Sequence, residues 1–514
     1  MATDFGKACL GKVYLVGAGP GDPGLLTLRG AECLAAADLV LYDYLAGPEL
    51  LGHTRPDAEL VSLGHHGHGR LMTQAEINER MVRAARAGQI VVRLKGGDPS
   101  IFARLAEELA ALESAGVPYE IVPGVTAAGA ASSHAGIPLT DRDDASCVAF
   151  VTGQERCDKR SEDSLDYAAL AQFPGTLVFY MGLTSAPRWS SELIAHGKSA
   201  YTPVAIVRRC TFADQQTIFT TLGSVDEHLG PGKLRPPAVV IVGAVARERT
   251  LENWFTARPL FGRTVLVTRP AHQADAMVSK LRALGADVMY QPAIEIAEPR
   301  DWGPVDAVIQ RLTDFDWLVF SSSNGVEYFF RRLTHLGFDM RALGGRRLAA
   351  IGPATVDALA EYHLKADISP DSYRAEALAE KLAPLANGKK FFLARASRGR
   401  KVLADMLTAA GGIVTQAVVY ESRDVPSPNP DVLEALTAGR IDWTTVTSSA
   451  IAHSLVAMFG DALRHTKLAA ISPLTAEVLT ELGHAPRVVA DTYTSDGIIT
   501  AILADETRAS EARP

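Results

Sequence analysis

The residues with chemical reach in this chain stand at the ends of apolar runs. "GAGPGDPGLLTL", residues 17–28, follows Val13-Tyr14-Leu15-Val16 and has the outline of a dinucleotide-binding loop. Such a loop needs G-x-G-x-x-G on a strand-to-helix turn, so that bare amides can meet a pyrophosphate. Gly17 and Gly19 fit, but Asp22 occupies the third glycine position, where a carboxylate repels phosphate, and Pro20 removes an amide donor. The loop suits a ligand without phosphate, neutral or cationic at its centre, of which the sulfonium S-adenosylmethionine is one; an ordinary tight turn is the plain alternative. "VVRLKGGDPSIFAR" sets Gly96, Gly97 and Asp98 at the C-terminal end of a strand, where open α/β sheets receive ligands. Paired glycines let backbone approach a flat group, although Asp98 reads equally well as a helix cap. "VPGVTAAGAASSHAGIPLTDRD" joins Thr126 and small residues to a charged end with Asp141, Arg142, Asp143 and Asp144. Those small side chains leave room for an adenosyl group or simply permit tight helix packing. "LVFYMGL" ends a strand at Met181, a residue type more often core than contact. His65, His66 and His68 have the look of a metal site, but their glycine spacing favours solvated side chains, and no metal is expected.

The elements that must position these residues are short strand runs alternating with helical periodicity, which predicts an α/β protein with mainly parallel strands. At 514 residues the chain exceeds a single core. A fresh strand after Gly262 places the main boundary at a linker, 255–261, and a polar run near Asp141 to Ser146 divides the first half. The charged end, 504–514, is expected to be disordered. The second half repeats itself. "GRTVLVTRPAHQADAMVSKLRALGADV" from Gly262 has a counterpart from Gly388, "LAAIGPATVDAL" from Leu348 recurs from Leu468, and "YRAEALAEKL" from Tyr373 recurs from Tyr493. A period of about 120 to 126 residues is too long for a solenoid and predicts two similar lobes with a cleft.

Composition narrows the class. Hydrophobic content of 47% with 21% charged residues is that of a soluble globular protein, and a net charge of −8 gives no general reason to expect nucleic acid. No apolar stretch approaches the ~18 residues needed to span a bilayer, and the start lacks a signal pattern, so a cytoplasmic location without membrane partners is expected. The five cysteines lie in the first half with no C-x-x-C pair, which points away from disulfides and thiolate metal sites.

The order and spacing of GAGPGDPGLLTL, Tyr42-Asp43, RLKGGDP, VPGVTAA, GIPLT, FVTG, FYMG and PPAVVIVG resemble the uroporphyrinogen-III C-methyltransferases of the tetrapyrrole methylase group, over residues 11–254. The resemblance implies a two-domain methylase fold (about 11–143 and 144–254), S-adenosylmethionine as cofactor, and a homodimer through this half. It also implies that Pro20, Gly96, Gly97, Asp98, Ile101, Thr126, Ala127, Met181 and Cys210 contact the cofactor and that Asp43 accepts a proton. His65 stands where the family has a lysine proposed as proton donor, and Cys210 where a glycine is common. A substrate with eight carboxylates calls for cations, for which Arg70 and Arg142, with Arg208 and Arg209, are candidates.

Residues 262–503 resemble uroporphyrinogen-III synthase through "VLVTRP", "VFSSSNGV", "AIGPAT", "VVYESR", "TSSAIA", "AISPLTAEVL" and "TSDGIITAI". That resemblance implies a two-lobed α/β fold with the active site between the lobes, Tyr420 assisting departure of the hydroxyl of hydroxymethylbilane, and Ser322, Thr355, Ser448 and Thr475 lining the cleft. On the residues alone, each of these serines and threonines reads as a strand-end cap or a helix N-terminal residue. Ser472 replaces a glycine often seen in its loop. Together the halves imply a bifunctional enzyme that makes uroporphyrinogen III and methylates it twice to precorrin-2, destined for sirohaem or cobalamin. The alternatives are a methylase of another tetrapyrrole with a degenerate synthase half, and a non-catalytic tetrapyrrole-binding protein.

Overall fold

A computed structural model describes residues 10–64, 71–155, 164–248, 252–399 and 401–511. The chain divides into two units, Met1–Gly262 and Arg263–Pro514. In the first unit, β1 (Lys12–Gly17), β2 (Leu39–Tyr42), β3 (Glu59–Ser62), β4 (Ile90–Lys95) and β5 (Tyr119–Val122) form a parallel sheet of order β3-β2-β4-β1-β5. Apolar side chains on both faces of β1 and β4 are buried, as the continuous Val/Leu runs require of a sheet covered on both sides. The register pairs Gly17 with Lys95 and Val16 with Val122, so the loops that leave β1, β4 and β5 emerge side by side at one edge.

The second sheet of this unit has β6 (Val148–Thr152), β7 (Thr176–Tyr180), β8 (Pro203–Arg208), β9 (Gln216–Thr221) and β10 (Ala238–Val242) in the order β6-β7-β10-β8-β9. Only β6 and β7 pair in parallel; the remaining pairs are antiparallel. The expectation of mainly parallel strands fails in this sheet, and for β8 and β9 the reason is length. Residues 209–215 between β8 and β9 are too few for a parallel crossover, which takes a dozen or more.

Segment 255–261, expected to be a linker, is instead part of the first unit's core. Phe255 and Leu260 are fully buried, the Asn253 amide donates to His134 O at 2.8 Å and the Trp254 indole to Ser133 O at 2.9 Å. Its large apolar side chains gain more from burial than a free tether would allow.

In the second unit, β11 (Thr264–Val267), β12 (Asp287–Tyr290), β18 (Trp443–Val446), β19 (Lys467–Ala470) and β20 (Val488–Val489) form one sheet, of order β12-β11-β18-β19-β20. Its second sheet has order β13-β17-β16-β14-β15, from β13 (Ile294–Ala297), β14 (Trp317–Phe320), β15 (Arg347–Ala350), β16 (Lys390–Ala396) and the long β17 (Ile413–Asp424). The strand pairs β11–β12 and β16–β17 correspond, as do β14–β15 and β18–β19, so each sheet takes one part from each copy of the repeat. The two lobes are real, but neither lobe is one copy. Even the edge contacts match: Ala349 bridges Ile368 and Ala469 pairs with Val488.

The end of the chain corrects the expected disordered tail, because helix Ser495–Glu511 continues through it. Asp505 and Glu506 are buried there. Lys467 Nζ reaches them at 3.3 and 3.0 Å, Arg487 reaches Asp505 at 3.0 Å, and Arg263 and the Trp443 indole reach Glu506 at 2.6 and 2.9 Å. Charges that suggested solvation are matched by distant cations. Truncation after Ala504 is therefore expected to destabilise the second unit by about 1–3 kcal/mol, since it leaves the buried Trp443 indole N–H without its acceptor. Calorimetry of the full-length and truncated chains checks this, and an unchanged melting temperature would refute it.

Candidate active sites

In the first unit the glycine loops lock together. Gly19 N donates to Gly97 O at 3.1 Å and Gly97 N to Gly19 O at 2.7 Å. A Cβ added to Gly17 would lie 2.6 Å from Gly124 Cα and 2.7 Å from Gly97 O, so this crossing tolerates no side chain. Gly97, at φ +69°, faces open space instead, with only Ala127 N at 3.8 Å from a hypothetical Cβ. That bare surface is a floor for a flat ligand. The carboxylate of Asp98 is committed to backbone: Oδ1 accepts from Ser100 N at 2.7 Å and Oδ2 from Gly124 N at 2.9 Å. It fastens the β4 loop to the β5 loop. Asp22 caps its own turn through Gly24 N at 2.8 Å, and its amide donates to Thr211 Oγ1 at 3.0 Å. Pro20 and Ile101 flank these loops half-buried, and Gly96 packs against Leu45.

The second sheet closes the other side. The Tyr180 hydroxyl accepts from Ala128 N at 3.0 Å and lies 2.6 Å from Thr126 Oγ1, which ties β7 to the helix Ala127–Ala135. Sequence reasoning chose Met181 from this motif and passed over Tyr180. Burial pushes the Tyr180 phenol up, so it stays protonated. Met181 is 47% exposed beside it. Phe102, Arg104, Met181, Arg209 and Thr211 all hold positive φ, between 47° and 76°, a cost that concentrates where function demands a fixed shape. Cys210 lies with its sulfur 4.0 Å from Ala127 O, and burial pushes its thiol up to about 12. A thiol so held is unreactive, and its backbone does not need the left-handed freedom of a glycine.

Asp43 sits at the end of β2, in a loop whose Leu45 touches Gly96. Arg93 Nη2 reaches Asp43 Oδ1 at 2.7 Å, and Arg93 Nε reaches Glu108 at 3.2 Å. Lys95 Nζ meets the other oxygen of Glu108 at 2.6 Å. Glu108 is 0% and Lys95 2% exposed, and burial together with Arg93 pushes the Lys95 ammonium down. The cations of "RLK" thus serve a buried carboxylate, and behind Asp43 stands a charged network. No sequence signal marked Glu108, which lies on an ordinary amphipathic helix. Arg142 is exposed and joins none of these contacts, while Arg208 and Arg209 both approach Asp214, at 3.7 and 2.7 Å. His65 and Arg70 lie outside the described residues.

In the second unit a cavity of about 550 Å³ is lined from both lobes. Tyr420 on β17 borders it, as do Tyr373 and Tyr493, which the repeat relates, and Arg374, Arg395 and Arg398; no Asp or Glu is among its lining residues. The guanidinium of Arg395 meets only neutral partners among the described residues: Gly399 O at 2.5 Å, Gln416 Oε1 at 3.1 Å and Ala396 O at 3.3 Å. Burial pushes the Tyr420 phenol up, so it is held as a donor. Ser322 Oγ lies 3.1 Å from it.

None of the other residues expected to line this cleft is among those that border the cavity. Ser322 and Ser448 cap their helices through Gly325 N at 3.0 Å and Ile451 N at 3.2 Å, and Thr355 and Thr475 are buried in first turns. Of the set only Tyr420 borders the cavity, with Ser322 in contact with its hydroxyl. Ser472 does line it, with φ −156° against −174° at Gly352, extended backbone that any residue adopts. Its replacement of a glycine therefore leaves the loop unchanged. The three arginines escaped sequence reasoning; the repeat could have flagged Arg395, which corresponds to Arg269 of "VLVTRP".

Among the described residues no helix is long and apolar enough to cross a membrane. Residues 12–226 match the family model of Tetrapyrrole (Corrin/Porphyrin) Methylases and residues 275–500 that of Uroporphyrinogen-III synthase HemD. Over 495 residues the chain is 32% identical to the porphyrin biosynthesis protein HemD of Ruminiclostridium josui, covering 96% of this chain and 98% of that one. It is 38% identical over 363 residues to the uroporphyrinogen-III C-methyltransferase of Bacillus subtilis, covering 70% and 74%. The uroporphyrin-III C-methyl transferase of Thermus thermophilus, crystallised with S-adenyl homocysteine, is 39% identical, covers 46% of this chain and 99% of its own, and has a TM-score of 0.39.

Proposed function

The chain belongs to the family in which a tetrapyrrole methylase is joined to a uroporphyrinogen-III synthase, and on that premise we propose that its two units catalyse consecutive steps. The second unit cyclises hydroxymethylbilane to uroporphyrinogen III with inversion of the last ring. The first transfers two methyl groups from S-adenosylmethionine and yields precorrin-2, the branch point to sirohaem and cobalamin. The observation that carries this reading is the cavity beside Tyr420, with no carboxylate in its lining and with Arg395, which meets only neutral partners among the described residues, at its wall beside Arg374, while Arg398 is paired with Asp424; this is a match for a flexible polyanion.

The arginines fold the linear substrate by holding its carboxylates, and the protonated Tyr420 donates to the departing hydroxyl. In the first unit, the bare Gly97 surface and the committed Asp98 carboxylate fit a cofactor without phosphate. S-adenosylmethionine supplies an electrophilic methyl on sulfur. Asp43, oriented by Arg93, accepts the proton that the methylated ring releases. Pro20, Gly96, Gly97, Ile101, Thr126, Ala127 and Met181 shape the cofactor pocket. A homodimer through this unit and a cytoplasmic location belong to the same proposal.

Purified full-length chain given hydroxymethylbilane and S-adenosylmethionine is expected to yield precorrin-2. Uroporphyrinogen I as the sole product would overturn the synthase assignment, and unmethylated uroporphyrinogen III the methylase one. Arg395→Ala is expected to raise KM for hydroxymethylbilane about tenfold, the scale of one charge-assisted hydrogen bond, with kcat within about twofold. Steady-state kinetics checks it, and an unchanged KM would remove Arg395 from substrate binding.

A further inference from the structure

We propose that Arg269 is a second carboxylate-binding residue of the synthase unit, which holds the substrate from the lobe of β11 as Arg395 does from the lobe of β14. The repeat relates the two. Gly262 corresponds to Gly388, and each arginine stands at the same distance after its glycine, where β11 and β16 end. Among the described residues the partners of Arg269 are all neutral. One terminal nitrogen donates to the Ser495 hydroxyl, and the other reaches Gln273 Oε1 only at 3.5 Å, the outer limit of a hydrogen bond. A guanidinium carries five donors and keeps its charge in proteins, so most of this capacity is unspent.

Other arginines of the unit that are drawn out of water have a carboxylate beside them: Arg263 meets Glu506 at 2.6 Å and Arg332 meets Asp306 at 2.6 Å. Arg269 is partly buried without one among the described residues, and burial pushes its guanidinium down. Removing a cation from water without a counterion costs free energy, which an arriving carboxylate offsets through charge-assisted hydrogen bonds. The neighbours of Arg269 place it at the cleft. Ser495 stands two residues after Tyr493, which lines the cavity. Gln273 Nε2 donates to Asn324 Oδ1 at 2.7 Å, and Asn324 belongs to helix Ser323–His335 of the other lobe, so Arg269 stands where the lobes meet. Its backbone is fixed by the Tyr290 hydroxyl, which donates to Arg269 O at 3.0 Å. Arg269 does not itself border the cavity. A bilane whose carboxylates radiate from its rings needs cations beyond the cavity wall as well as on it.

This inference rests on the reading of the second unit as the synthase, and R269Q tests it in the full-length chain. Glutamine can still donate to Ser495 but has no charge. The expected result is a KM for hydroxymethylbilane about tenfold higher in R269Q, the scale of one charge-assisted hydrogen bond, with kcat within about twofold. The rise of KM with added salt should be shallower in R269Q than in wild type, because one screened contact is gone. Combined with R395A the two increases should multiply to about a hundredfold, as for groups that hold separate carboxylates. A wild-type KM in R269Q overturns the inference whatever its melting temperature, since Arg269 would then only tie β11 to helix Ser495–Glu511. A double variant no worse than R395A alone overturns it too, because Arg269 would act through Arg395. Should R269Q fail to fold, R269K decides: an ammonium lacks the fork, so KM should rise about threefold, and an unchanged KM refutes the assignment. A wild-type chain that forms no uroporphyrinogen III from hydroxymethylbilane would instead overturn the synthase reading, so the two failures are distinct.

Discussion

Glu108→Leu is expected to lower the stability of the first unit by about 3–5 kcal/mol, the cost of breaking a buried ion pair by removing one partner. The residue is fully buried and holds Arg93 at 3.2 Å and Lys95 at 2.6 Å. Its loss leaves the Lys95 ammonium in an apolar interior with no carboxylate beside it among the described residues. Arg93 would keep Asp43, at 2.7 Å, but lose the contact that fixes its other edge. Two losses therefore follow from one substitution: stability, and the orientation of the proposed proton acceptor. Lys95→Met combined with Glu108→Leu should recover most of the stability, because apolar replacement of a whole buried pair is often neutral. Methylation activity remaining after graded urea treatment measures the first unit directly. A single variant as resistant as wild type would refute the account, as would a double variant no better than the single one.

Tyr420→Phe is expected to slow uroporphyrinogen III formation by about 10²-fold or more, the usual contribution of a positioned general acid. The spontaneous closure needs no enzyme, so the product should shift to uroporphyrinogen I as the catalysed route fails. Phenylalanine preserves the ring that packs against Tyr328 at 5.9 Å between centroids, and the fold should be kept. Methylation of supplied uroporphyrinogen III should also be unchanged, since Tyr420 belongs to the other unit. Chromatography of the two isomers decides the matter, and a wild-type isomer ratio would remove Tyr420 from the chemistry.

The two candidate sites were not equally legible in the sequence. In the first unit the site is built from loops whose backbone shape is locally encoded: Gly17 must be bare where strands cross, and Gly97 must adopt positive φ. Such requirements leave their mark in residue type and spacing, although an ordinary turn or helix cap accounts for them equally well until the order of motifs is matched to the methylases. The partners behind them left no such mark. Tyr180 is one aromatic among many at strand ends, and Glu108 is one acid on a helix; only folding shows that the first anchors Thr126 and the second neutralises Arg93 and Lys95. In the second unit the hydroxyls that looked chemical are helix caps, and the charges that face the cavity come from unremarkable positions.

By itself the sequence determined the α/β class, the glycine loops, the order of motifs and the repeat in the second half, because periodicity, turn chemistry and self-similarity are local or one-dimensional properties. Only the tertiary structure decided that β14–β15 of one copy pair with β16–β17 of the other, so that each lobe is a composite. Either pairing satisfies the same local pattern. What separates them is the set of contacts made far along the chain, such as Gln273 to Asn324 at a separation of 51 residues, which no local pattern records.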